Sequence, residues 1–258
     1  KERMRMFAAG PATNLFAAFI CLILLGGLAA NFTSTSENPH VRGVIKDAGA
    51  DDAGMQPWDT ILQIDGEEVD GVEGFQTILQ KYQANDTIIV DVKHENGSLE
   101  SIELLLSDKY DYYIELGWSP TNLETLGIKQ GDAFVGVEGI VEGTAGIDRL
   151  AGPFSPRFEG GVLIQVVYTP VHVVNMMIIP FELQGVSMYP VEEAMLAPAE
   201  GILGETLGLN GLLFFVNFFF WLMWVNILLG FTNLIPMVPF DGGHLFKDWI
   251  KGTLNRVK

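Results

Sequence analysis

Two short stretches of this sequence hold side chains whose types and spacing could do chemistry. Residues 233 to 243 read NLIPMVPFDGG, with an amide at Asn233, prolines at 236 and 239, and the carboxylate of Asp241 ahead of two glycines. They follow the strongly apolar run Leu212 to Phe231. Residues 9 to 14 read AGPATN and place Asn14 near the start of another apolar run. A carboxylate at the bilayer centre costs about 2.5 to 3.5 kcal/mol on insertion scales, so one found there normally has a partner and a function. Prolines remove backbone donors and break helices. Irregular backbone is tolerated at membrane depth only inside protein or beside a wet cavity. A broken turn with a carboxylate and an amide on its two sides therefore reads as a polar site. The plainer alternative places Asp241 in cytoplasmic water as a helix cap near Lys247.

Other candidate ligands are few. The histidines are His40, His94, His172 and His244. His94-Glu95-Asn96-Gly97-Ser98 begins like the zinc motif His-Glu-x-x-His but has serine at the last position. It also lies in an expected hairpin turn, where residues four apart do not share a face. His244, three residues after Asp241, is read in a supporting or surface role. His172, near Asn175 in an apolar stretch, suits a packed core position, or else a gate to a cleft. Cys21 is the single cysteine, so there is no disulfide framework.

The elements that must position these groups begin with two apolar runs, Met6 to Ala30 and Leu207 to Phe240. Each exceeds the roughly 20 residues that cross a bilayer. The first is too long for a signal-peptide apolar region, and the mean hydropathy of the chain is high at +0.27. Residues 31 to 160 hold 24 acidic against 8 basic side chains, out of a total net charge of −17. Such acidity argues against nucleic acid as a partner. Lys1, Arg3 and Arg5 precede the first run, and Lys247, Lys251, Arg256 and Lys258 follow the last. Basic flanks mark the cytoplasmic side, so both ends are expected there, with the acidic middle outside. A third apolar stretch, 162 to 181, is expected to be interfacial or re-entrant, because a lone crossing would separate the two basic ends.

The middle has the pattern of a soluble domain. Short strands are expected at Val41–Ile45 and Asp59–Ile64, and a helix at Val72–Tyr82 with Val72, Phe75, Ile78, Leu79 and Tyr82 on one face. Two alternating runs flank Asn96-Gly97, which predicts a hairpin with a type I′ turn. GMQPWDTILQIDG (54–66) and GIKQGDAFVGVEG (127–139) align without gaps. This echo fits a degenerate or permuted second unit, or a recurrence of strand-turn grammar. The order strand, loop, strand, helix, hairpin, with Ala53-Gly54-Met55 and Ile64-Asp65-Gly66, resembles a PDZ domain. Trp58-Asp59 stands where the usual pattern has Gly-Asp.

Asn233, Pro236, Asp241 and Gly242 follow Asn-x-x-Pro-x-x-x-x-Asp-Gly, and the first run carries Ala9-Gly10-Pro11-x-x-Asn14. Together these resemble two signatures of the site-2 protease family of intramembrane zinc metalloproteases, in which PDZ domains commonly lie between the two spans. The resemblance implies a membrane α-helical core with an inserted β-rich, extracytoplasmic PDZ-like domain, an α+β arrangement in a multi-pass protein of the cell membrane. It implies a span at 1–34, a PDZ domain at 38–110, a degenerate second PDZ-like segment or linker at 111–160, a membrane-associated segment at 161–206, and a span with cytoplasmic tail at 207–258. It implies Zn2+ as cofactor and Asp241 as third ligand, beside two histidines of a His-Glu-x-x-His helix whose glutamate is the general base. Asn233 would then bind substrate backbone or the developing oxyanion, and Asn14 would contact substrate.

The implied activity is hydrolysis of a peptide bond in a transmembrane segment of another protein, with the lipid bilayer as a further partner. His-Glu-x-x-His itself does not occur in these residues. The family carries it before the Gly-Pro-x-x-Asn span, so it is expected upstream of Lys1 in a longer chain. A natural relative without catalysis, serving as a PDZ-containing membrane scaffold or receptor, is the alternative. A transporter with a coupling carboxylate is a third reading, disfavoured by the few spans and the lack of an inverted repeat.

Overall fold

The computed structural model describes residues 2–235 together with Gly243, Phe246, Lys247 and Ile250. It divides the chain into two units, residues 1–33 with 146–258, and residues 34–145. α1 (Glu2–Ala29) is a 28-residue helix containing Pro11, and β1 (Phe32–Ser34) follows it.

The unit 34–145 is built on one antiparallel sheet. Its first elements are β2 (His40–Val44), α2 (Gly49–Asp52), β3 (Thr60–Ile64), β4 (Glu67–Glu68), α3 (Gly71–Leu79), β5 (Thr87–Lys93) and β6 (Leu99–Leu105). This is the order of strands, helix and hairpin expected from the hydrophobic pattern. β7 (Ser107–Asp108), α4 (Lys109–Glu115), α5 (Pro120–Thr125), β8 (Ala133–Phe134) and β9 (Val137–Val141) complete the unit. The strands lie in the order β6-β5-β3-β2-β9, with β4 on β3, so β9 from the echoed stretch ends the same sheet. Alternation sets the faces: Ile88, Val90 and Val92 of β5 are buried while Thr87, Ile89 and Lys93 are exposed. Phe75 and Ile78 of α3 pack with them, and Leu79 and Tyr82 lie at the edge of that core.

Local backbone explains two features that the sequence leaves ambiguous. The hairpin does not close through a type I′ turn, which needs positive φ at both central residues. The Gly97 N–H donates to the His94 carbonyl at 2.8 Å, and the His94 N–H to the Ser98 carbonyl at 2.9 Å. Of Asn96 and Gly97 only Gly97 has positive φ (+86°), giving a three-residue loop. Asn96 Oδ1 instead accepts from the Ser98 amide at 2.8 Å. Trp58, where glycine was expected, adopts φ +70°. The left-handed region costs about 1 to 2 kcal/mol for a residue with a side chain. What holds it is the turn's own bonding, since Asp59 Oδ2 accepts from the Gln56 N–H at 2.8 Å. The same device recurs in the echo, where Lys129 N–H reaches Asp132 Oδ2 at 2.8 Å across Gly131 at φ +91°. It recurs again at Gln83 to Asp86, also at 2.8 Å, across Asn85 at φ +72°.

The other unit continues through α6 (Ala145–Ala151), a 3-10 turn at Gly152–Phe154, α7 (Val162–Glu182), α8 (Pro190–Ala194), β10 (Leu196–Pro198), which pairs with β1, and α9 (Ile202–Leu234). α9 is interrupted near its start at Gly208, where φ is 60°. Ala18, Cys21, Leu22, Leu25 and Ala29 of α1 share a buried core with Leu212, Val216, Phe220, Met223 and Ile227 of α9. Spacings of three and four put each set on one helical stripe. Phe16, Ile20, Ile23, Phe214, Phe218 and Val225 are exposed on the same helices, as suits lipid. α7 is one continuous 21-residue helix with Pro170 and Pro180 inside it, with no reversal of the kind a re-entrant segment needs. Among the described residues, three helices are thus long and apolar enough to cross a membrane: Ala9–Ala29, Val162–Glu182 and Ile202–Leu234.

Candidate functional site

α1 and α9 run antiparallel, because the start of α1 meets the end of α9. A Cβ on Gly230 would stand 2.7 Å from Leu15 Cδ2 and 3.5 Å from the Pro11 carbonyl oxygen. Glycine at 230 therefore lets the helices approach where the Gly10-Pro11 motif lies. Asn233 is one helical turn past Gly230, and Asn14 one turn past Pro11. At 1.5 Å per residue, each sits within about 5 Å along the axis of that crossing. The two asparagines singled out in the sequence are thus brought to the same end of the helix pair.

Their bonding differs from that of the other asparagines in α9. Asn217 Nδ2 donates to the Leu213 carbonyl at 3.1 Å, and its Oδ1 accepts from the Ser187 hydroxyl at 2.6 Å. Asn226 Nδ2 donates to the Leu222 carbonyl at 2.8 Å. Asn226 thus satisfies a polar group within its own helix, while Asn217 also bonds outside it, to Ser187. Asn14 and Asn233 are half-buried, and their side chains bond to no described residue. Just after Asn233, α9 stops. Ile235 has extended backbone (ψ 129°), as expected before a proline, which disfavours helical conformation in its predecessor.

Asp241, Pro236, Pro239, Gly242 and His244 lie outside the described residues. Among those described, no three His, Cys, Asp or Glu side chains gather as a metal site requires. His94 is tied down as a structural group: Nδ1 meets the buried Asp59 Oδ1 at 2.7 Å and Nε2 meets Glu100 Oε2 at 3.0 Å. Those two carboxylates, Glu100 foremost, raise its pKa. Burial lowers the His40 pKa to about 4, and its Nε2 has no partner. His172 is buried and its Nε2–H donates to the Leu150 carbonyl at 3.3 Å. Gly152 (φ +53°) makes room for that ring, since a Cβ there would come 2.3 Å from it.

Two cavities were not legible in the sequence. One, of about 500 Å3, borders α7 and is lined by Asp148, Arg149, Arg157, Tyr168, His172 and Glu182. Its arginines are already ion-paired, though the buried Arg149 Nε–H donates to no described residue. Arg149 grips the buried Glu192 with two bonds of 2.7 and 2.8 Å, and Arg157 pairs with Asp148 at 2.8 Å. The second, of about 790 Å3, is a groove between α3 and β9 walled by Val72, Phe75, Leu79, Phe134, Val137 and Ile140. Lys109, Tyr113 and Lys129 also line it.

Comparison with known proteins gives these observations a context. The family described as Peptidase family M50 matches residues 1–258. The zinc metalloprotease RasP of Shouchella clausii is 25% identical over 250 residues, covering 95% of this chain and 49% of RasP. The zinc metalloprotease Rip1 of Mycobacterium bovis is 23% identical over 284 residues, covering 100% of this chain and 65% of Rip1. The chain thus spans about half to two-thirds of the length of these relatives. The PDZ domain of an SdrC-like protein from Listeria monocytogenes aligns with 41% of the chain and 90% of its own length, at 20% identity and a TM-score of 0.30. On the match along its whole length, this chain belongs to Peptidase family M50, the site-2 protease family.

Proposed function

We propose that this chain is part of an intramembrane zinc metalloprotease, which hydrolyses a peptide bond in a transmembrane segment of another protein. The observation that supports the reading is the approach of α9 to α1 at Gly230, which sets Asn14 and Asn233 toward the same end of the helix pair. A substrate helix must unwind before its peptide bonds can be attacked, and unwinding frees backbone donors and acceptors that cannot stay unpaired in lipid. Asn233 would bind that freed backbone or the oxyanion, since a neutral amide donor stabilises negative charge developing on the carbonyl oxygen. Asn14 would hold the strand from the other helix.

Zinc fits this reading through Asp241, with histidines contributed from outside these residues. The described side chains do not by themselves form such a site. When bound, zinc would supply a nucleophilic water of lowered pKa. The basic flanks favour both ends in the cytoplasm and the unit 34–145 outside it, an arrangement in which α7 does not cross alone. That PDZ-like unit would filter or dock substrates by strand addition, which its free edge at β9 favours.

The test is cleavage of a membrane-embedded model substrate by the whole protein in proteoliposomes. Loss of cleavage with Asp241→Ala and on zinc chelation is the expected result. Equal cleavage under both conditions sinks the proposal.

A further inference from the structure

We infer that Asn96, at the tip of the β5–β6 hairpin, is the acceptor of an N-linked glycan. The donor it takes is an oligosaccharide joined through its C1 to a lipid-borne diphosphate. This rests on the reading that puts residues 34–145 outside the cytoplasm.

The sequence narrows the choice first. Glycan transfer to asparagine needs Asn-x-Ser or Asn-x-Thr, with x other than proline. Of the 12 asparagines, three meet that rule: Asn31-Phe32-Thr33, Asn85-Asp86-Thr87 and Asn96-Gly97-Ser98. All three lie on the stretch read as outside, and none in the apolar runs or the basic ends. Such a triplet also arises by chance, so geometry has to decide among them.

Asn31 is already spent. Its Nδ2 donates to the Gly27 carbonyl at 2.9 Å and closes the end of α1, and the next residue, Phe32, is buried. Asn85 is exposed, but its triplet is pinned by backbone. The Asn85 N–H donates to the Leu106 carbonyl at 2.7 Å, and Thr87 pairs with Leu105 in the β5–β6 ladder.

Asn96, Gly97 and Ser98 are all exposed. The Ser98 N–H donates to Asn96 Oδ1 at 2.8 Å, and the Ser98 hydroxyl donates to the same oxygen at 2.7 Å. A backbone N–H can only donate, so the atom it meets is the amide oxygen. Nδ2, at the other end of the amide, keeps both hydrogens for chemistry and has no partner among the described residues. An amide nitrogen is a weak nucleophile, because its lone pair is delocalised into the carbonyl. Two hydrogen bonds onto Oδ1 draw electron density toward oxygen and make Nδ2–H easier to deprotonate. In the transfer, Nδ2 forms a bond to C1 of the donor sugar and gives one proton to a base of the transferase. The C1–O bond breaks, and its electron pair leaves on the diphosphate. Nothing is oxidised or reduced.

The position has a use. β6 ends the sheet at the edge opposite β9, so bulk at this hairpin leaves the groove of α3 and β9 open. Leu99, the first residue of β6, is 71% exposed and Leu105 is 55% exposed. A free strand edge with apolar side chains is a template for pairing with other chains. A hydrated glycan three residues from Leu99 obstructs that pairing.

The test isolates the protein from membranes of the cells that make it and reads its tryptic peptides by mass spectrometry. Cleavage after Lys81, Lys93 and Lys109 puts Asn85 and Asn96 on separate peptides, 82–93 and 94–109. The expected result is a series of monosaccharide mass increments on 94–109 and none on 6–42, which holds Asn31. The increments should vanish in Asn96→Gln and in Ser98→Ala, and return in Ser98→Thr, which restores the hydroxyl. Full occupancy in Ser98→Ala would remove the hydroxyl from the argument and overturn the inference. In a Cys21→Ala background, Thr35→Cys should react with a membrane-impermeant maleimide on intact cells. If it reacts and 94–109 is bare, the inference fails while the topology stands. If it reacts only after lysis, the topology fails and takes the inference with it.

Discussion

Gly230 of α9 lies against Leu15 of α1, so that a Cβ at 230 would stand 2.7 Å from Leu15 Cδ2 but at an ordinary 3.5 Å from the Pro11 carbonyl oxygen. An alanine Cβ would press mainly on the mobile end of Leu15, while the atoms beyond Cβ in a larger side chain would run into the Pro11 backbone. Gly230→Ala should therefore be tolerated, and Gly230→Val should cost about 1 to 3 kcal/mol by overpacking. Thermal unfolding in detergent compares the two. Cleavage should fall with Val even where the fold survives, because Asn14 and Asn233 are spread apart.

Asn233 can be separated from its neighbours in α9 by chemistry. Asn233→Ala should lower turnover by about 100-fold to 1000-fold, the usual loss for one donor to a developing oxyanion. It should leave the melting temperature unchanged, since the side chain bonds no described residue. Asn226→Ala, which removes only a bond to its own helix, should change stability by about 0.5 kcal/mol or less. Similar turnover in the two variants would remove Asn233 from the mechanism.

The unit 34–145 should carry two opposed pH dependences. Glu100 and Asp59 raise the pKa of His94, so its folded value lies above the unfolded value of about 6.5. The stability it gives is complete below about pH 6.5 and fades as pH rises through the raised value. His40 titrates near 4 when folded, so stability present above about pH 6.5 is lost as pH falls toward 4. Urea unfolding of the wild type and His94→Asn should show the widest gap at acid pH and a narrowing gap in alkali. A gap that widens with pH would contradict the assignment.

Gly152 and His172 form a pair that a double-mutant cycle can expose. Gly152→Ala adds a Cβ 2.3 Å from the imidazole at a positive φ, so it should cost about 2 to 4 kcal/mol. His172→Ala opens that space, and the double variant should be more stable than the sum of the two losses by about 1 kcal/mol or more. Simple additivity would mean that the contact does not act as described.

Much of this architecture was legible in the residues. Alternation predicted β3, β5 and β6, and the spacing of Phe75 and Ile78 predicted α3. The rest depends on information that local sequence does not hold. Trp58 reads as a departure from a glycine turn, yet the turn forms, because Asp59 bonding to Gln56 compensates for the unfavourable φ. Asn96-Gly97 signals a two-residue turn, but the Asn96 side chain is drawn to Ser98. The Arg149–Glu192 pair joins residues 43 positions apart, beyond the reach of periodicity. Gly230 is silent in a helix of apolar residues until its partner helix is placed. Asp241, the residue the motif singles out most strongly, lies outside the described residues, so its place in the site remains a proposal.

The early stop of α9 before Pro236 has a consequence for what can be held there. A helix leaves its last carbonyls without partners of its own, and their aligned dipoles place about half a negative charge at that end. An unwound substrate helix has the opposite shortage, because its N–H groups have lost their acceptors. In lipid neither set can be left bare. On the proposed function, the terminus of α9 would be a ledge of acceptors offered to a chain that has become a set of donors, and would make local unwinding less uphill at this point than elsewhere along the membrane.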